Sequence, residues 1–189
     1  VRGSFQTSAV LTAATLAIAG CGGGERQDAD EPSGTYALEV VSASFPERQS
    51  LASASEMKIT VRNADTKAVP VVAVTVDSFS KDSEQPGLAD PSRPVWVIDR
   101  PPVGGDTAYT NTWALGSLPA GQTRTFSWRV TPVQSGTHTV KYRVAAGLDG
   151  KAKTASEQAG DFTVDISDAP ARSRVDPETG KVVRDTDER

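Results

Sequence analysis

Residues 125–130 read TFSWRV, in which Thr125, Ser127 and Arg129 alternate with Phe126, Trp128 and Val130. A period of two puts alternate side chains on opposite faces of an extended strand. One face of this hexapeptide is therefore apolar and the other carries two hydroxyls and a guanidinium. A one-residue slip in pairing would turn Phe126 and Trp128 into water, so the pattern specifies register as well as strand.

The same alternation recurs on either side. In HTVKYRV (138–144) Lys141 and Arg143 face out while Val140, Tyr142 and Val144 face in; FTVDI (162–166), MKITVR (57–62) and LEV (38–40) repeat the scheme. The denser run 69–76, rich in valine, predicts a strand that is covered on both faces or central in its sheet. Between these runs lie NAD (63–65), PAG (119–121), SG (135–136) and LDG (148–150), which supply reversals. No segment carries a helical stripe. The chain is expected to be all-β: an antiparallel immunoglobulin-like sandwich of about seven to eight strands over residues 35–168, with disordered termini.

Outward from that body the composition changes. Residues 1–20 have one positive charge, Arg2, and an apolar stretch over 9–19 of secretory-signal length, too short to span a bilayer of about 30 Å. Residues 21–34, CGGGERQDADEPSG, read as a flexible acidic tether, and residues 169–189 as a disordered polar tail. The whole chain carries 20 Lys and Arg against 24 Asp and Glu, a formal net charge of −4. That balance disfavours nucleic acid and anionic lipid as partners.

The one cysteine, Cys21, follows Ile18-Ala19-Gly20. This quartet resembles the lipobox of bacterial lipoproteins. The resemblance implies a diacylglyceryl group on the Cys21 sulfur, cleavage before it, and a body held on the outer face of the cell membrane by two or three acyl chains. With that thiol occupied, no disulfide and no cysteine nucleophile are expected.

An immunoglobulin-like module needs about 100 residues, and most of the surplus lies at 78–112. Within it VWVI (95–98) predicts an additional strand, which Pro94, Pro101 and Pro102 confine to a sheet edge. Long loops on a rigid scaffold commonly carry recognition. The candidate binding surface is therefore this insertion, with Trp96, Tyr109, Asp82, Glu84 and Asp90; core packing is the competing role for both Trp96 and Tyr109. Trp113 and Trp128 are assigned to the core.

Chemistry is sparse. His138 is the one histidine, so a Ser-His-Asp site would need it, and its place at a strand start favours a corner role. Zinc lacks ligands, and the acids at 82, 84 and 90 have no EF-hand spacing. Asp161 and Asp165 flank or face outward from a strand, and GGD (104–106) lacks a phosphate-loop pattern. No enzyme, cofactor or metal is expected.

LGSLPAGQT (115–123) leading into FSW (126–128), then SGTHTV (135–140), with Asn63 after an earlier strand, is similar to bacterial cell-adhesion-related and fibronectin-like modules over roughly 36–167. His138 stands where these folds often carry a corner tyrosine. The resemblance implies a non-catalytic binding or structural module whose partner is an envelope protein or glycan. The alternative is an accessory subunit of an exported enzyme or transporter, bound through an exposed sheet edge; a small hydrolase ranks last.

Overall fold

A computed structural model describes residues 28–80, 94–169 and 173–184. Among these residues there are fourteen strands and no helix: β1 (Gly34–Tyr36), β2 (Leu38–Ser44), β3 (Arg48–Ser50), β4 (Ser55–Asn63), β5 (Ala73–Val76), β6 (Phe79–Ser80), β7 (Trp96–Arg100), β8 (Thr112–Ala114), β9 (Thr123–Pro132), β10 (Gly136–Ala145), β11 (Ala152–Thr154), β12 (Gln158–Ser167), β13 (Ser173–Val175) and β14 (Val182–Arg184).

They form two five-stranded sheets, ordered β2-β4-β9-β7-β6 and β3-β12-β10-β5-β8, packed as an immunoglobulin-like sandwich. Pairing is antiparallel except at two edges, where β6 lies parallel to β7 and β3 parallel to β12. The ten sandwich strands exceed the expected seven to eight because β3, β6 and β8 are only two or three residues long, too short to show a period.

The alternating runs are the strands of this core. Phe126, Trp128 and Val130 of β9 are fully buried, as are Met57, Ile59 and Val61 of β4 facing them in the same sheet; Val140, Tyr142 and Val144 of β10 enter from the other side. Trp113 of β8 joins the layers by meeting Trp128 of β9 edge to face at 5.5 Å, and within β9 Phe126 stacks on Trp128 at 5.9 Å. Such pairs contribute about 0.5–1.5 kcal/mol each beyond the area they bury. In β2 the register shifts between Val40 and Ser42, so Val41 is an extra residue on an edge strand, 49% exposed.

Three local expectations are corrected. The run 69–76 is not one strand. Pro70 has no N–H for a ladder, so Val69 makes an isolated bridge to Leu118 and β5 begins at Ala73, between β10 and the short β8. The strand at 95–98 lies one place inside the sheet edge, with β6 outside it. The tether expected over 21–34 ends early: from Asp28 the chain is docked on the body.

Docking works through a buried carboxylate. Glu31 Oε2 accepts the backbone N–H of Leu148 at 2.6 Å and of Asp149 at 3.2 Å, and its Oε1 accepts that of Ala152 at 2.8 Å. Gly147 makes room, since a Cβ there would stand 2.0 Å from Glu31 Oε1. Lys151 binds the Asp149 side chain at 2.8 Å, and this bond, with the Lys151 N–H, holds the Asp149 carboxyl below its ordinary pKa. β1 then pairs in parallel with β11. Within the segment read as a polar tail, β13 and β14 close a small antiparallel hairpin, with Asp176 accepting the N–H groups of Glu178 and Thr179 in its turn.

Candidate functional site

Of the residues singled out in the insertion, Trp96 and Tyr109 lie among the described residues, and each is engaged by other parts of the body. Trp96, weighed between a binding surface and core packing, takes the core role and is fully buried; it packs on Phe45 at 5.5 Å and Phe79 at 6.0 Å, and its Nε1 donates to Gln49 Oε1 at 2.8 Å. The indole fills the interior end of the two added strands, and that burial removes it from any contact surface. Tyr109 lies in the β7–β8 connection, 37% exposed, and donates its hydroxyl to the buried Asp28 carboxylate. It therefore helps to seat the docked N-terminal segment. Asp82, Glu84 and Asp90 lie outside the described residues, as does Cys21.

A different part of the insertion borders a groove. After Arg100 the chain turns away through Pro101, Pro102 and Val103. Between that turn and the outer face of β4 and β9 is an open cleft of about 560 Å³. Its floor is polar: Ser55 and Glu56 of β4, Thr125 and Ser127 of β9. Its rim is apolar: Pro101, Pro102, Val103 and Leu115, with Val103 88% exposed. Arg100, Arg124 and Arg129 also belong to the lining, which is thereby rich in positive charge.

Strand alternation explains most of this placement. Phe126, Trp128 and Val130 point into the core, so Thr125, Ser127 and Arg129 stand on the outer face, opposite Thr60, Lys58 and Glu56 in register. A register shift between Ile98 and Arg100 sets Arg100 beside Arg129. Arg124, at the start of β9, donates to Leu115 O at 3.1 Å and Ser117 O at 3.4 Å, which fixes its guanidinium and leaves further N–H donors.

Among the described residues Glu56 is the one carboxylate of the lining, and it is already engaged. Ser127 Oγ donates to its Oε1 at 2.7 Å and Lys58 Nζ lies 2.9 Å from its Oε2. The Ser127 and Lys58 bonds hold its pKa below the usual value, with the Arg129 charge adding a smaller effect. The cleft is thus cationic with an apolar rim, a combination suited to holding an anionic group beside a hydrocarbon one.

No such chemistry gathers around His138. Its ring meets Trp96 edge to face at 6.0 Å, and its Nε2 donates to Ser135 O at 3.0 Å. That bond to a backbone carbonyl three residues upstream is the service a corner tyrosine renders in related folds. Among the described residues no group of three or more His, Cys, Asp or Glu could hold a metal ion.

Arg124 and Arg129 are near each other on one strand, but Arg100 is distant from both in sequence, so the three do not read as a cluster. The double proline after Arg100 was the available signal, since it must end the β7 ladder and open a cleft.

No protein-family model matches the chain, and no curated protein matches it. Among solved structures it is similar to the CARDB domain of the PF1109 protein from Pyrococcus furiosus, determined in complex with di-metal ions: 17% identity, covering 69% of this chain and 85% of that one, TM-score 0.43. A solution structure of the same domain aligns at 17% identity over 69% and 93% of the two chains, TM-score 0.44. A beta-glucosidase from Listeria innocua in complex with glucose aligns at 15% identity over 71% of this chain and 16% of its own length, TM-score 0.39.

Proposed function

We propose that this chain is a lipid-anchored protein of the cell envelope, held through Cys21 and acting outside the cytoplasm as a non-catalytic binding module. The observation that supports binding is the cleft: three arginines and an apolar rim gathered beside the stretch of β9 that β7 does not reach, on a body whose interior is filled by Phe126, Trp128 and Val130. Recognition on such a body belongs to its surface.

Anchoring rests on Ile18-Ala19-Gly20-Cys21. Each acyl methylene buried in a bilayer contributes about 0.8 kcal/mol, so two or three chains hold a protein durably. Because Asp28 and Glu31 are docked on the body, the span from Cys21 to the first buried side chain reaches at most about 25 Å. The body then works close to the membrane.

Cell fractionation of Cys21→Ser tests the anchor. The variant is expected in the soluble extracytoplasmic fraction or as an uncleaved precursor. A variant that is processed normally and stays membrane-bound would contradict it.

A further inference from the structure

β9 has a long partner on one side only. Toward β4 its ladder runs from Thr123 to Val130; toward β7 it runs only from Arg129 to Pro132. β7 stops at Arg100 because Pro101 and Pro102 bring no N–H with which to continue it.

The direction of the remaining backbone groups follows from alternation. Val133 donates its N–H to Val95 O on the β7 side at 2.8 Å, whereas Pro132 O accepts the Ala52 N–H on the β4 side at 3.1 Å. β9 pairs with β4 without a register shift, so Thr125 and Ser127, odd-numbered like Val133, direct their N–H and C=O toward the β7 side. No described strand meets them there. They line the cleft instead, with Arg124 and Arg129 beside them and Arg100 across from them.

We propose that this open stretch of β9 takes an extended acidic segment of a partner protein as an added strand. The proposal rests on the binding-module reading and gives it a partner class. Two N–H and C=O sets repeating every second residue, about 7 Å apart, match a polypeptide main chain. Arg100, Arg124 and Arg129 select for carboxylates, since a guanidinium presents paired donors to a carboxylate, and the lining's own Glu56 is committed to Ser127 and Lys58. The rim of Pro101, Pro102, Val103 and Leu115 accepts alternate apolar side chains, and among the described residues of the lining there is no aromatic ring on which a sugar would stack.

The test uses the full chain extracted in detergent and a fluorescein-labelled nonapeptide of alternating glutamate and valine. Its lysine–valine counterpart and a polyuronate serve as competitors. Saturable binding of the acidic peptide is expected, weakened roughly ten-fold by Arg129→Ala and by Arg100→Ala and weakened by salt. Methylating alternate peptide nitrogens in one register should abolish it, a measurement that needs no protein variant. The Thr125 and Ser127 amides should gain exchange protection. Absence of peptide binding, equal binding of the methylated peptide, or indifference to both arginine substitutions would overturn strand addition. Binding of polyuronate alone would also overturn it, while leaving a binding module of another specificity; membrane release of Cys21→Ser is scored separately.

Discussion

Asn63 ends β4 with no exposed surface, and every polar atom of its side chain is used. Its Nδ2 donates to Lys67 O at 2.9 Å and to Leu118 O at 2.8 Å, while its Oδ1 accepts the Asp65 N–H at 2.9 Å. One amide thus ties the turn after β4 to the loop before β9. Asp65 extends the tie: the Ala37 N–H, and then those of Thr66 and Lys67, hold its carboxyl below its ordinary pKa. Gly121, with φ at 73°, completes the facing turn and donates its N–H to Asn63 O. Asn63→Ala leaves Lys67 O and the Asp65 N–H without their partner and takes one of two donors from Leu118 O, which keeps the Val69 N–H, at about 1–3 kcal/mol for each group left unpaired. A loss of about 3 kcal/mol in urea unfolding is expected, with the m-value unchanged; a loss under about 1 kcal/mol would contradict this role. The sequence placed Asn63 after a strand but could not show its partners, because Lys67 and Leu118 are brought to it only by the fold.

At the scale of elements, strands with strict alternation were legible and short ones were not. β4, β9, β10 and β12 announce themselves because one face of each is buried and the other wet. β3 and β6 are held by their neighbours, a tertiary decision that no local period records. The segment 28–34 reads as tether for a related reason: carboxylates in a glycine- and acid-rich stretch are ordinarily hydrated, and only the backbone N–H groups of 148–152 and the bare Cα of Gly147 turn Glu31 into a buried latch. Two substitutions on opposite sides of that contact should therefore act alike. Glu31→Ala removes the acceptor, and Gly147→Ala drives a methyl into it. Both are expected to expose the 28–36 segment to proteolysis with the sandwich intact, at a cost of about 1–3 kcal/mol. Continued protection of that segment in Gly147→Ala would contradict the latch.

For the molecule as a whole, the all-β sandwich was readable from TFSWRV outward, whereas the site was not. Sequence reasoning weighted the insertion by its length and its aromatics, yet burial took Trp96 and the docked N-terminal segment took Tyr109. What the insertion contributes to the cleft is its double proline, which ends a ladder and leaves part of β9 open beside three arginines. The two sheets consequently differ: one outer face carries the cationic cleft, and the other presents Lys141 and Arg143 close to Asp161 and Glu157. In-cell photo-crosslinking from single positions distinguishes them most directly. A photoreactive residue at Ser127 should capture one defined envelope protein, and the same residue at Lys141, on the opposite sheet, should not. Capture from Lys141 with none from Ser127 would contradict the account.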